Sequence, residues 1–354
     1  MHRGMNRPID TGAIYAALAG DATALGICPE FRHIRSQFSI HTFDSLPSTS
    51  TRLWEMLGVG ASAGTVVIAG AQSAGRGQRG RVWQSSPGGL YLSLALAPNW
   101  PATHIAQLTC ISAWGVATAF NNLGIPVRIK WPNDLFFEGK KLGGILTETK
   151  LSRSGAIAAA DGLCDTFLTG SASYVRQAVI GIGVNWCNCV PETATTLRNV
   201  LASLPEVSRK NKINCLEMLA ALVLKGILQG HLFHQQVGSQ DFMKAYSNLL
   251  TQVGDVVSLD NDLLDLAAVG SSCADKGRVD TGQIEALKQL GKCSGEVIGV
   301  SEEGYLKVAL RDIPSRSVND LRKVSSDTLS SGSTERSPGC IADILLLKPA
   351  DYLV

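Results

Sequence analysis

Apolar residues along this chain change their spacing from one segment to the next, and the spacing predicts the elements. Ala13 to Leu18 is a short helical patch, and TRLWEML, directly after Ser48 and Thr49, reads as a helix that those hydroxyls would cap. Apolar and alternating runs predict strands at Thr65 to Ala71, Leu90 to Leu96, Val127 to Trp131, Leu142 to Thr149 and Gln177 to Trp186. Helices are expected near Ile105 to Asn121 and Ile213 to Gln235. In the second, Ile213, Leu216, Leu219, Val223 and Ile227 recur at helical spacing and mark a core-facing stripe. Such a series predicts an α+β domain, a mixed sheet with helices on one face.

Beyond Gln252 the pattern shifts to short strands, VGDVVSLD and then GEVIGVSEEGYLKVAL, with a hairpin turn at Glu302 to Gly304. An insertion at residues 261–292, with a helical piece at Ile284 to Leu290, interrupts them. Ser152 to Tyr174 is a second insertion, small and polar, expected as a mobile surface loop. After Val324 comes SSDTLSSGSTERSPG, which has too little apolar surface to order itself, and then IADILLLKPADYLV, apolar enough to dock somewhere. The chain thus divides into an extension at 1–40, a large domain at 41–250, a small one at 251–325 and a serine-rich tail at 326–354 expected to be disordered.

With 354 residues, 45% of them hydrophobic, the chain has material for one large and one small core. A net charge of +2 does not indicate extensive nucleic-acid binding, so any positive charge of interest is local. Nine cysteines are scattered singly except Cys187 and Cys189, whose C-x-C spacing lacks a companion pair for a metal; free thiols in a reducing cytosol are the simpler reading. The start, MHRGMNRPID, has no apolar signal core, and no stretch is expected to reach membrane-spanning length. A cytoplasmic protein without membrane contact is expected.

Three segments concentrate the candidate chemistry. In GAQSAGRGQRGRVWQSSPGGLYL, Arg76, Arg79 and Arg81 sit between Gly75, Gly77 and Gly80 with no acid nearby, so guanidinium forks and bare amides can converge on one anion. A phosphate-bearing molecule, an RNA and plain solvent all suit that composition. KWPNDLFFEGKKLGGILTE reads as a strand stopping at Pro132, a hairpin through Glu138 and Gly139, and a second strand from Leu142. Lys130, Asn133, Asp134 and Lys141 then crowd one end of a sheet, although strand termination alone accounts for Asn and Asp. In AVIGIGVN, Gly181 and Gly183 bare one face of an apolar strand, which weakens it unless a ligand or another backbone comes close.

In this order, Gln72 followed by GRGQRGR and Trp83, KWPND with a lysine seven residues after its aspartate, and GIGVN resemble the catalytic domain of the biotin protein ligases, the biotin–[acetyl-CoA-carboxylase] ligases. The resemblance spans residues 41 to 325. It implies an enzyme that joins biotin and ATP into biotinyl-5′-AMP and then passes biotin to a lysine of a biotin carboxyl carrier protein, of acetyl-CoA carboxylase or another biotin-dependent carboxylase. It also implies a small C-terminal SH3-like β-barrel, and a monomer or homodimer. Residues 1–40 are too short for a winged helix-turn-helix, so no repressor role and no DNA partner are expected.

Residue by residue, the resemblance makes Lys141, Arg76 and Lys130 catalytic. Ser48, Thr49 and Gln72 would meet the ureido ring, with Gly75, Gly143, Gly144, Gly181 and Gly183 letting biotin lie flat. Arg76 would span the biotin tail and phosphate, and Lys141 the carboxylate oxygen and α-phosphate. Arg79, Arg81, Lys130, Asn133 and Asn185 would hold ATP, and Trp83 would cover the adenine. Asp134 would bind magnesium, which needs few carboxylates when phosphates and water fill its shell. Plainer readings stand beside these: a salt bridge from Asp134 to a neighbouring lysine, Trp83 as a core aromatic, Ser48 and Thr49 as helix caps, and Asn185 as a turn residue.

The residue types answer a chemical need. Two anions must be held together against repulsion, and charge then develops at the α-phosphate, so cations must surround that point. Gln78 stands where members of the family often carry arginine, which leaves three of four loop charges and puts retention of the intermediate in question. Three like charges among glycines predict a loop loose when empty and ordered over the adenylate. A lipoate-type acyl-adenylate ligase is the neighbouring alternative. An RNA- or anion-binding module is another, but it has no need of Lys141 and the GIGVN strand.

Overall fold

The structure, a computed structural model, describes residues 8–33, 37–153, 173–205, 213–265, 293–311 and 344–348, with residues 267, 284, 285, 287 and 288 between them. Contacts divide the chain into two units, Met1–Gly238 and Ser239–Val354.

The first unit opens with α1 (Thr11–Ala19), whose Asp10 cap accepts from the Ala13 amide. Then come β1 (Ser39–Phe43), α2 (Thr49–Gly58), β2 (Thr65–Ala69), β3 (Leu90–Leu96), β4 (Trp100–Pro101) and α3 (Ile105–Asn122). Next are β5 (Arg128–Lys130), β6 (Asp134–Phe137), β7 (Lys140–Arg153), β8 (Ser173–Val184), α4 (Leu197–Ser203) and α5 (Leu216–Ser247), the last broken at Gly238, where the first unit ends. The strands form one eight-stranded sheet in the order β1-β2-β3-β8-β7-β6-β5, with β4 beside β8. β1 and β2 run parallel and the remaining pairs antiparallel, so the sheet is mixed as expected.

The helices do not share one face. Ser93 is paired with Gly181, and Gly181 with Leu146, so these three point the same way. Ser50 of α2 bonds Ser93 at 3.0 Å, placing α2 on that face. Thr109 of α3 bonds Thr147 at 2.7 Å, and Thr147, next to Leu146, points to the other. The expectation of helices on one face is corrected: α2 leaves part of its face open beside it, whereas α3 covers the opposite one. The apolar runs of β2, β3 and β8 have their cause here, because covering both faces requires apolar residues at successive positions rather than at alternate ones.

α3 and α5 pack through glycines. A Cβ on Gly115 would run into the Gly226 carbonyl, and one on Gly230 into that of Ile111. Gln229, fully buried on α5, donates to the Gly115 carbonyl at 2.8 Å and accepts from the Cys28 amide at 3.1 Å. Buried Ile14, Leu25 and Phe31 complete the seating of the N-terminal segment. By length and composition α5 could cross a membrane, which departs from the expectation that no stretch reaches that length; its most apolar window is 61% buried within the protein, as a core helix's is.

α5 also carries a titrating group. His231 is half-buried, its Nε2 has no hydrogen-bond partner among the described residues, and Trp100 lies 6.2 Å from its ring. Burial, and then neighbouring His234, push its pKa down to about 4. The unfolded chain would take up the proton near 6.5, so this contribution to stability is complete above that pH and is lost as the pH falls toward 4. The loss amounts to roughly 3 kcal/mol. Urea midpoints measured at pH 7 and pH 4.5 are expected to fall further in the parent than in His231→Leu. Equal falls would show that this histidine does not titrate on unfolding.

The second unit holds β9 (Val256–Leu259), α6 (Asn261–Leu264), β10 (Cys293–Val300), β11 (Leu306–Arg311) and β12 (Ile344–Leu347). The strands make an antiparallel sheet ordered β12-β11-β10-β9. The expected turn at Glu302 to Gly304 is present, closed by the Ser301 amide on the Tyr305 carbonyl at 2.8 Å. β12 corrects the expectation that residues 326–354 are all disordered tail. Its Leu345 and Leu347 are buried because β11 offers an open edge for a short apolar segment. The serine-rich run lies outside the described residues.

Within the 261–292 insertion, α6, the Ala267–Leu347 bridge and helical Ile284, Glu285, Leu287 and Lys288 are described, with Ile284 and Leu287 buried. The insertion expected at Ser152 to Tyr174 begins later than its sequence indicated. Ser152 pairs with Tyr174 and Arg153 with Ser173, lengthening the β7–β8 ladder, and residues 154–172 lie outside the described set.

Candidate active site

The open part of the α2 face is a cavity of about 150 Å³. It gathers Ser48, Thr49, Gln72, Arg76, Arg81, Trp83, Asn133, Asp134, Lys141, Gly144, Gly181 and Gly183 from segments far apart in the chain. Gln78, at the departure from the family pattern, lines it as well.

Its polar end grows from the start of α2. Ser48 caps the helix through the Thr51 amide at 3.4 Å, while Thr49 turns to Gln72, whose Oε1 accepts from the Thr49 amide at 2.8 Å. Gln72 Nε2 donates to Ser85 at 2.8 Å, and Thr49 and Ser50 both reach Ser93, at 2.8 and 3.0 Å. The result is a buried array of hydroxyls and one amide, able both to donate and to accept toward a ring with the same needs. Capping and pocket lining are both true of Ser48. Ser50, Ser85 and Ser93 escaped the sequence reading, since isolated serines carry no motif until the strand register joins them to α2.

The floor is bare backbone, and Trp83 lies on it. Side chains on Gly144 and Gly183 would meet its indole, and one on Gly181 would meet Ser50. The Trp83 indole nitrogen is buried with no hydrogen-bond partner among the described residues. Ligand pockets usually begin near roughly 300 Å³. This cavity holds half of that while the Trp83 indole, part of the glycine-rich loop, lies on its floor.

The cations meet acids, one foreseen in the sequence and one not. Lys141 Nζ lies 2.7 Å from Asp134 Oδ1 and 5.2 Å from the centre of the Trp83 ring. This is the salt bridge weighed for Asp134. Its origin is the ladder, in which Asp134 pairs with Gly144 while the Glu138–Gly139 turn, with both φ positive, brings Lys141 back beside it. Asp134 proves to start a strand of its own, β6. Arg76 Nη2 lies 2.5 Å from Glu148 Oε1 on β7, so the loop seen as having no acid nearby acquires one by folding.

Other expected residues stand at the margin. Gly75 lines an adjoining groove with Val82, Trp83 and Cys189; a Cβ there would strike the Trp83 carbonyl. Asn133 lines the cavity but spends its side chain on the Ile145 carbonyl at 2.5 Å. Asn185 is buried, accepting from Asn188 at 3.1 Å, and does not line the cavity. Gly143 faces the Gly183 carbonyl and Leu135, Lys130 lies exposed with its ammonium 5.7 Å from the Phe136 ring centre, and Arg79 has a left-handed φ of 57°; none of the three lines the cavity.

Residues 42–159 match the model of the biotin/lipoate A/B protein ligase family. The bifunctional ligase/repressor BirA of Bacillus subtilis is 34% identical over 167 residues, 47% of this chain and 46% of that protein. The biotin–[acetyl-CoA-carboxylase] ligase of Paracoccus denitrificans is 38% identical over 132 residues, 36% of this chain and 47% of that protein. The chain thus spans about half the length of these curated relatives. The biotin protein ligase of Aquifex aeolicus, solved with biotin and ATP, superposes with a TM-score of 0.50 at 23% identity, covering 78% of this chain and 96% of that one. That likeness concerns the fold.

Proposed function

We propose that this chain, whose residues 42–159 carry a biotin/lipoate A/B protein ligase domain, attaches biotin to a lysine of a carrier protein through biotinyl-5′-AMP. The observation that carries the reading is one cavity in which Lys141, Arg76 and Arg81 surround a glycine floor next to the hydroxyls of Ser48 and Thr49 and the amide of Gln72. The polar end takes the ureido ring, and the apolar part of biotin replaces Trp83 on Gly144 and Gly183. The indole then swings out over the adenine.

In the first half-reaction the biotin carboxylate oxygen attacks the α-phosphorus of ATP and pyrophosphate leaves. Lys141, released from Asp134, stands at the reacting oxygens, while Arg76 and Arg81 meet the negative charge gathering there. In the second, the carrier's lysine amine attacks the mixed anhydride carbonyl and AMP leaves. Asp134 is the one carboxylate among the residues that line the cavity, and among the described residues no three acids, histidines or cysteines gather as a metal site. That donor set fits magnesium arriving with ATP, with phosphates and water filling its shell, and the ion would neutralise phosphate charge.

The second unit's sheet is the frame of a small SH3-like barrel. The chain works in the cytoplasm as a monomer or homodimer, without DNA, on the carrier of acetyl-CoA carboxylase or a related carboxylase. The catalytic domain is taken to span 41–250 and the small domain to begin at 251 and to include β12 beyond residue 325.

The test is pyrophosphate release from Mg-ATP with biotin or lipoate, and then labelling of a purified carrier domain. Biotin-dependent release and labelling are expected. Preference for lipoate would move the chain to the neighbouring activity, and release with neither acid, alongside calorimetric binding of a short RNA, would overturn adenylation altogether.

A further inference from the structure

We infer that Glu148 is the positioning residue for Arg76, holding that guanidinium ready for the anionic intermediate. The inference rests on the adenylation reading above. Arg76 lies between Gly75 and Gly77, so its loop offers no scaffold to fix a long side chain, and freezing an arginine rotamer costs entropy. Glu148 is the opposite case. It sits near the middle of β7, paired with Val179, and points to the same face as Gly144 and Leu146 of the cavity floor.

The pair is partly withdrawn from water on the acid's side. Glu148's side chain is 19% exposed against 47% for Arg76, and its Oε2 is buried without a hydrogen-bond partner among the described residues. A carboxylate with one oxygen left bare depends on its cation, and this ties the arginine to the sheet more firmly than a surface ion pair would. Nη2 of Arg76 makes the 2.5 Å contact of that ion pair, and a guanidinium has five donors, more than one carboxylate oxygen takes up. The bond between loop and strand thus aims the arginine without consuming it.

The experiment compares the parent, Glu148→Gln, Arg76→Gly and the double variant. It measures KM for biotin and ATP, kcat for pyrophosphate release, and the lifetime of retained adenylate. Glu148→Gln is expected to raise KM and shorten the lifetime about tenfold, the scale of coupling within one ion-pair network, with kcat much less affected. In the Arg76→Gly background the same change should do nothing further. Glu148→Asp keeps the charge and should recover most of the loss, and it serves as the probe if the glutamine variant does not fold.

A glutamine variant equal to the parent, or one binding more tightly because glutamate competes with the ligand, would overturn the inference. An undiminished loss in the Arg76→Gly background, or equal impairment by aspartate and glutamine, would do the same. If the parent releases no biotin-dependent pyrophosphate, the adenylation reading fails. Coupling of the two residues is then read separately from calorimetric affinity for inorganic pyrophosphate across the same proteins.

Discussion

Lys141→Ala is expected to lower biotin-dependent pyrophosphate release by a factor on the order of 10² to 10³ while the protein stays folded. A preorganised charge at the point where negative charge develops contributes on that scale, because it acts without reorganising at the moment of reaction. The fold should survive because Lys141 is held by its backbone. Its amide donates to the Thr193 carbonyl at 3.1 Å and its carbonyl accepts from Thr195 at 2.9 Å, neither of which needs the side chain. Asp134 loses its partner, yet it is a quarter exposed and water can take over. Burst-phase pyrophosphate measurements on a variant with parent-like circular dichroism decide the matter, and near-parental release would remove Lys141 from the reacting oxygens.

Gly115→Val is expected to cost about 3 kcal/mol or more and to leave little folded protein at 37 °C. The added carbons face the backbone of α5, the Gly226 carbonyl and the Gly230 amide, and backbone cannot swing aside as a flexible side chain would. Separating α3 from α5 also pulls Gln229 from the Gly115 carbonyl, leaving a buried amide short of a partner. Denaturant titration of the purified variant is the measurement, and a midpoint within error of the parent's would mean that the helices can move apart cheaply. The expected outcome differs in kind from that of Lys141→Ala, which removes chemistry from an intact fold.

Much of the fold is legible along the chain because its signals are local. The apolar run of β3 and the glycine-bearing run of β8 announce strands in their own spacing, and α3 and α5 do so by their length. β6 is hidden in the sequence because Asn133 and Asp134 look like turn residues, and only pairing with β5 and β7 makes a strand of Asp134–Phe137. β12 reads as tail because four apolar residues after a serine-rich run have no meaning until β11 offers its edge.

The candidate site divides in the same way. Residue type and order in the arginine loop, KWPND, Lys141 and GIGVN were enough to point to an anion-handling chemistry, since charge and the absence of side chains are properties each residue carries wherever it sits. Partnership is not such a property. That Lys141 rests on Asp134, that Arg76 rests on Glu148, and that Ser93 closes a hydroxyl array with Thr49 and Ser50 were decided by strand register and by the side of the sheet on which α2 lies. Register acts between residues that are 43 to 72 positions apart in two of these cases, Ser50 with Ser93 and Arg76 with Glu148, so no local pattern encodes it; only the packed sheet brings those atoms within bonding distance.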